Sequence, residues 1–290
     1  MNTSSIRLIL LAVLSVFLMA LVPVTIKYIQ VDPWLIGAFR LAISVLGLVL
    51  LAALLKKPLI AKRENWGIIF LLGLVFAVHW LTYFYSIQLS TASIAAIGVS
   101  TFGAHLLLLG WFVHKQPPHW IEILCVFMAF VGVYIVLPDF DVSQDMTIGL
   151  ILGVISGFLY ALLPLMHQKY RHINGQRRTF GQFFVALLIF SLGLPKVDFD
   201  IPRDAWIGLF LLATFSTLIA HSLWIKVTTE LNHVLTSIIY YLYVPIAMSF
   251  SFFFLNEEVT FNKALGAGVI IVANIIGILH RLRFETTSPR

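Results

Sequence analysis

The stretch AVLSVFLMALVPVTIKYI at residues 12–29 decides the fold, because it recurs as GVISGFLYALLPLMHQKY at residues 153–170. The two stretches lie 141 positions apart and agree at seven of their eighteen positions, which include an aligned serine and an aligned proline. In a chain this apolar, roughly two agreements are expected by chance. The excess indicates an internal repeat that divides the chain into two related halves.

The repeat is built from unusually apolar sequence. Of the 290 residues, 60% are hydrophobic and 11% are charged, and the mean hydropathy is +0.97. A soluble domain is about 45–50% apolar and about 25% charged, so the excess apolar surface is expected to face lipid. Composition therefore predicts a small polytopic membrane protein. It disfavours a receptor with a large ectodomain, a single-span anchored enzyme and an ATP-driven pump with its own nucleotide domain.

Ten apolar stretches have about the length that a membrane-spanning helix requires. They are predicted at 7–27, 34–55, 66–87, 93–113, 120–137, 147–168, 179–195, 205–226, 234–255 and 263–281. We therefore expect an all-α integral membrane protein of ten transmembrane helices. Residues 1–138 would form the first repeat (helices 1–5), residues 147–283 the second (helices 6–10), and residues 284–290 a short cytoplasmic tail.

The number of helices in each repeat has a consequence for topology. Because five is odd, the second repeat must enter the membrane from the opposite side, so the two repeats are inverted. Inverted repeats are the architecture of secondary transporters, in which two similar halves rock around a site near the bilayer midplane. The parity therefore favours a transporter, while a passive channel or a membrane enzyme with duplicated halves stays open.

The distribution of lysine and arginine predicts the orientation. If the N-terminus is cytoplasmic, the inner segments carry fourteen of these residues and the outer segments carry four. Cytoplasmic loops are enriched in lysine and arginine. Both termini are therefore predicted to be cytoplasmic.

Several motifs resemble one known family, the EamA-type domain of the drug/metabolite transporter superfamily. Residues 254–260, Phe-Leu-Asn-Glu-Glu-Val-Thr, resemble the family's Leu-Gly-Glu-x-Leu-Thr turn, which precedes a glycine-rich last helix, and they place Glu257 at its acidic position. Residues 88–93 resemble the family's junction between helices 3 and 4, and Arg40 resembles the arginine of its second helix. The first half departs from the pattern, because Gln116 stands where the repeat would place a counterpart of Glu257.

The resemblance covers nearly the whole chain and implies both fold and function. It implies two five-helix repeats, a bacterial inner membrane and the transport of small metabolites, often amino acids outward. We therefore expect a secondary transporter that exports an amino acid or a related compound by alternating access. A carrier of drugs or of other metabolites with the same fold is the alternative.

Polar side chains are costly in lipid and are expected to face the interior of the bundle. Helical spacing places such residues on single faces of helices 3, 6, 8 and 9. Arg40 is the one charge predicted within the hydrocarbon, where it could snorkel to the surface, contact a substrate carboxylate, or pair with Asp32 or Glu257. The residues predicted to line a substrate pathway are Arg40, His79, Trp80, Tyr83, Ser100, Tyr160, His221, Trp224, Tyr240 and Tyr243.

Proline and glycine positions predict the mechanics of the helices. Pro23, Pro164 and Pro245 interrupt predicted helices and are candidate hinges, although kinks with a packing role only are an open alternative. The spacing of Gly149, Gly153 and Gly157 predicts close helix packing on helix 6.

The sequence predicts no catalytic residue, no cofactor and no metal. There is no Gly-x-x-x-x-Gly-Lys loop, and the single cysteine, Cys125, excludes an intramolecular disulfide and a thiolate zinc cluster. His114, His119 and Glu122 are the nearest approach to an enzyme site, so a lipid or isoprenoid enzyme stays open. The expected partners are a small-molecule substrate and membrane lipid but no nucleic acid, and a homodimer stays open.

Overall fold

The computed structural model describes residues 3–60, 65–114, 119–136, 141–231 and 238–287. The regular elements within these ranges are all helical. Nine helices of the described part are long and apolar enough to span a membrane, and the shorter apolar helix Trp120–Val136 makes a tenth. The predicted all-α fold of ten helices in two five-helix repeats is confirmed. Some predicted features lie outside the described residues, namely the cations Lys62, Arg63, Lys115 and Arg290, and Gln116.

The ten membrane-spanning helices are numbered in chain order. Their bounds are Ile6–Ile29, Pro33–Leu54, Trp66–Leu89, Ala92–Leu109, Trp120–Val136, Asp145–Lys169, Gly175–Lys196, Arg203–Glu230, Ile238–Leu255 and Phe261–His280. Helix 2 begins one residue earlier than predicted because the Asp32 carboxylate caps it, accepting the Trp34 N–H at 2.8 Å, and Pro33 fits the first turn. Helix 10 continues in a regular α-helix to Thr287.

Four helices are irregular along their length. Helix 1 has a turn at Ala20, helix 4 at residues 100–101, and helix 9 at residues 241–242. Helix 8 contains the π-helical segment Leu212–Ile219, the kind of backbone that often occurs at functional sites. The turns in helices 4 and 9 are 141 residues apart, so the repeat relates them. This pair of turns is therefore shared between the halves, whereas the turn in helix 1 and the π-helical segment of helix 8 have regular helix at the equivalent positions.

The three candidate hinge prolines occupy two kinds of position. Pro23 and Pro245 are each the third residue of a helical segment that follows a turn, where a missing N–H costs little. Pro164 lies within the uninterrupted helix Asp145–Lys169. Their action as hinges stays a prediction.

Helix 6 packs closely against helix 4, and this contact fixes the middle of the bundle. A Cβ added at Gly149 would lie 2.6 Å from the Ser90 Cβ, and one at Gly153 would lie 3.2 Å from the Gly98 Cα. A Cβ added at Gly157 would lie 2.9 Å from the Val99 carbonyl oxygen. The predicted packing role of the three glycines is confirmed.

Candidate functional site

A small cavity lies in the middle of the bundle, beside the irregular parts of helices 1, 4, 8 and 9. Its volume is about 30 Å³, which is room for one or two water molecules. We name it the central cavity. It is lined by Met19, Val22, Arg40, His79, Trp80, Tyr83, Phe84, Val99, Tyr160, His221, Tyr240 and Tyr243.

Eight of the ten residues predicted to line a pathway meet in the central cavity. Trp224 lines a neighbouring cavity that shares Tyr160 and His221 with it. Ser100 lies apart from the lining of both, at the turn of helix 4, and its hydroxyl donates to the Ile97 carbonyl at 2.6 Å. The structure brings these residues together, and their role in transport stays a prediction.

Repeat symmetry accounts for much of the lining. Three pairs of lining residues are related by the 141-residue offset: Met19 with Tyr160, Trp80 with His221, and Val99 with Tyr240. Inverted repeats place related positions together near the midplane. Met19 and Val99 are apolar and carry no polarity signal in the sequence, but the offset from Tyr160 and Tyr240 could have identified them.

Arg40 supplies the charge of the central cavity. Its side chain is fully buried, about 10 Å along helix 2 from Pro33. Its Nε–H donates to the Thr217 Oγ1 at 2.9 Å, and its guanidinium carbon lies 4.2 Å from the ring centroid of Trp80. The Nη1 and Nη2 atoms have no hydrogen-bond partner. Two of the three guanidinium nitrogens of Arg40 are therefore buried without a hydrogen-bond partner.

Two of the sequence-based alternatives for Arg40 are wrong in this structure. Full burial excludes snorkelling to the membrane surface. The proposed acidic partners are engaged elsewhere, since Asp32 caps helix 2 and Glu257 accepts the backbone N–H groups of Ala92 and Ser93 at 2.8 and 3.2 Å. Contact with a substrate is the alternative that stays a prediction.

Hydrogen bonds orient both histidines and two of the four tyrosines of the central cavity. The His221 Nδ1–H donates to the Ser216 carbonyl at 2.6 Å, a carbonyl within the π-helical segment. His79 stacks on Tyr160 with ring centroids 4.7 Å apart, and its Nδ1 lies 2.8 Å from the Ser156 Oγ. The Tyr83 and Tyr243 hydroxyls are hydrogen-bonded to each other. Among the twelve lining residues, Arg40 is the one lysine, arginine, aspartate or glutamate.

One end of the bundle, which we name the Glu257 end, is closed at the junction of helices 3 and 4. The Lys27 Nζ donates to the carbonyls of Ile87, Gln88 and Ser90 at 2.5–3.2 Å. The Glu257 carboxylate holds the first N–H groups of helix 4, as the helix dipole favours. The junction is therefore clamped by helix 1 from the first repeat and by Glu257 from the second.

The turn that carries Glu257 is adapted to this contact. Asn256 stands where the resembled motif has glycine and adopts a left-handed conformation with φ of 52°, which asparagine tolerates. Burial raises the pKa of Glu257, but hydrogen bonds that include those from Ala92 and Ser93 outweigh it and leave the pKa below its usual value. Glu257 therefore stays ionised at neutral pH.

The opposite end, which we name the Arg178 end, is closed by a second buried arginine. Arg178 is 2% exposed, and its Nε–H donates to the Ile173 carbonyl at 3.1 Å. Its Nη1 donates to the His167 carbonyl, and its Nη2 lies 3.5 Å from the Thr229 Oγ1. These contacts join helices 6, 7 and 8.

Of the side chains considered for an enzyme site, the structure describes those of His119 and Glu122. Glu122 accepts hydrogen bonds from the Trp111 Nε1–H at 2.9 Å and from the His119 backbone N–H at 3.3 Å. Across the described ranges, no group of three or more histidine, cysteine, aspartate or glutamate residues is placed to hold a metal ion. The side chain of His114 lies outside the described residues.

Comparison with known proteins places the chain in a family. The model of the EamA-like transporter family matches residues 6–137 and again residues 147–278. An uncharacterized transporter of Archaeoglobus fulgidus is 24% identical over 259 residues, which cover 85% of this chain and 87% of that protein. A protein of known crystal structure shares the fold with a TM-score of 0.70 at 12% identity, over 96% of this chain and 99% of that one. The chain is a multi-pass membrane protein that belongs to the EamA-like transporter family.

Proposed function

We propose that the protein is a secondary transporter that carries a small metabolite through the central cavity by alternating access, without a cofactor or a catalytic step. The observation that supports this most is a buried, partly unpartnered arginine in a cavity of about 30 Å³ that lies between the Glu257 end and the Arg178 end of the bundle. A carrier requires such a site, with a barrier on each side of it.

The size of the central cavity supports alternating access rather than an open channel. Sites for small ligands have volumes of about 300–1,000 Å³, and the central cavity has about 30 Å³. A metabolite therefore enters only when one end opens and the aromatic side chains of the lining move apart. The turns in helices 1, 4 and 9 and the π-helical segment of helix 8 lie beside the cavity, where such movement is needed.

The proposal extends to location, orientation and direction. The excess of lysine and arginine in alternate connections supports an orientation with both termini in the cytoplasm, and the family resemblance supports the inner membrane. The Arg178 end then faces the cytoplasm and the Glu257 end faces outward. The substrate is an amino acid or a related compound, moved outward.

Flux in proteoliposomes tests the proposal. Candidate substrates come from an untargeted comparison of metabolites in the medium and cytosol of cells with and without the protein. A transporter gives saturable uptake that is accelerated when the same compound is loaded on the opposite side. Uptake that rises linearly with concentration and shows no counterflow would indicate a channel and would overturn the proposal. Leu54→Ala, at a lipid-facing side chain that is 80% exposed, is the control for variants of residues that line the central cavity.

A further inference from the structure

The charge balance of the central cavity is unusual for buried protein surface. A buried charge is costly unless it is paired and hydrogen-bonded. The aromatic faces of Trp80 and Phe84, at 4.2 and 5.4 Å from the Arg40 guanidinium carbon, compensate part of its charge. The other lining residues include no carboxylate. An anion in the cavity would supply the missing partner.

The fully buried polar atoms in the cavity walls that have no hydrogen-bond partner can all donate hydrogen bonds. They are the Nη1 and Nη2 atoms of Arg40, the Tyr160 hydroxyl and, in the neighbouring cavity, the Trp224 Nε1–H. A guanidinium presents its N–H groups in a planar fork that matches the two oxygens of a carboxylate. The walls are therefore suited to a ligand that is rich in hydrogen-bond acceptors.

The same walls are poorly suited to an ammonium group. Hydrogen-bond acceptors are present, since the His221 Nδ1–H donates to the Ser216 carbonyl and leaves a lone pair on Nε2, but they carry no negative charge. An ammonium would add a second positive charge close to Arg40 without a carboxylate in the lining to balance it. The remaining surface, which includes Met19, Val22 and Val99, is apolar.

From these observations we infer that the central cavity selects a small organic monoanion, a carboxylate with an apolar body and no ammonium group, and that Arg40 binds the carboxylate. This inference rests on the proposed function and narrows its substrate class. Among compounds related to amino acids, it favours those that lack the amino group.

A matched series of probes tests the selection by charge. 3-Phenylpropionate, phenylalanine and 2-phenylethylamine share a ring and a short chain but carry net charges of −1, 0 and +1 at neutral pH, and octanoate is an aliphatic monoanion. Binding to the full chain in lipid nanodiscs is followed by tryptophan fluorescence, because Trp80 lies against the guanidinium. We expect at least one monoanion to bind at least tenfold more tightly than phenylalanine, and 2-phenylethylamine not to bind.

Variants of Arg40 test whether this residue binds the carboxylate. Arg40→Lys keeps the charge but loses the fork and is expected to weaken monoanion binding about tenfold, whereas Arg40→Gln should weaken it more than 100-fold. Thermal melting checks that each variant is folded, and the probe series in the wild type decides the charge class if a variant is not. The inference is overturned if neither monoanion binds, if phenylalanine binds as tightly, or if folded Arg40→Gln binds monoanions like the wild type.

Counterflow of the same probes separates this inference from the proposed function. Saturable counterflow of phenylalanine without counterflow of either monoanion would overturn the anion class and leave the transporter proposal standing. Tight monoanion binding that depends on Arg40, with no saturable counterflow of any probe, would support the site and overturn the transporter proposal.

Discussion

Arg40 and Arg178 are both buried arginines, each at most 2% exposed, yet their guanidinium groups differ in hydrogen bonding. Each of the three guanidinium nitrogens of Arg178 has a protein partner, whereas Arg40 has one for Nε only. Burial alone therefore does not distinguish the two arginines, whereas the number of their hydrogen-bond partners does.

The difference follows from where each side chain meets the backbone. Arg178 contacts the end of helix 6, where the last carbonyls lack partners within the helix and accept its N–H groups. Arg40 lies among helix interiors, whose carbonyls are already hydrogen-bonded within their own helices. Its one partner, Thr217, lies in the π-helical segment of helix 8.

The largest effect is expected for Arg40→Ala. Loss of the guanidinium should lower monoanion binding and counterflow about 1000-fold, equivalent to about 4 kcal/mol, because the carboxylate would lose its charged partner. The melting temperature should change little, since two of the three nitrogens have no protein partner to lose. Both are measured on the same preparation, with Leu54→Ala as control. Normal flux in a correctly inserted variant would contradict the account.

Arg178→Ala should give the reverse pattern. The carbonyls of His167 and Ile173 would lose their donors, at a cost of about 2–3 kcal/mol in the free energy of unfolding. Thermal melting should show a fall of roughly 5 °C or more. Counterflow per folded molecule should be close to that of the wild type. An unchanged melting temperature together with lost monoanion binding would erase the distinction between the two arginines.

Thr217→Val removes the one side chain that accepts a hydrogen bond from Arg40. The side chain should then be less well oriented, and monoanion affinity should fall about tenfold, near the 1.5 kcal/mol expected for a hydrogen bond to a charged group. Thr217→Ser keeps the hydroxyl and should bind like the wild type. If Val and Ser variants bind equally, the hydrogen bond does not position Arg40.

Glu257→Gln should have the smallest effect, because a half-buried carboxylate at a helix N-terminus contributes about 0.5–1 kcal/mol. The pKa of Glu257 is lower in the folded state, so its contribution is complete above the unfolded-state pKa of about 4.3 and is lost as pH falls through the folded-state pKa. The difference in melting temperature between wild type and variant should be constant from pH 6 to 8 and vanish in acid. A difference that changes near pH 7 would show that another group is responsible.

The sequence was most informative about polar residues in helices that are otherwise surrounded by lipid. Polar and charged residues in lipid-length apolar helices have to face inward, which is why His79, Tyr83 and Tyr160 could be assigned to the interior. The odd number of helices in each repeat predicted the inverted architecture, because each apolar stretch has to cross the whole membrane.

Other features of the site had no local signal. The π-helical segment, LATFSTLI at residues 212–219, contains neither proline nor glycine, and the turn at Ser100 and Thr101 likewise lacks proline. The partner of Arg40 depends on which helix packs beside helix 2, and spacing along one helix cannot reveal that. The acceptors of Arg178 could not be predicted either, because they lie on helix 6, on the connection that follows it and on helix 8.

The most direct test of the central claim is a structure of the protein with 3-(4-bromophenyl)propionate bound, in which the bromine marks the ligand. We predict that the carboxylate oxygens lie about 2.7–2.9 Å from the Arg40 Nη1 and Nη2 atoms, with the ring among the aromatic side chains of the central cavity. A carboxylate bound elsewhere, with both Nη atoms still unpartnered, would contradict the account.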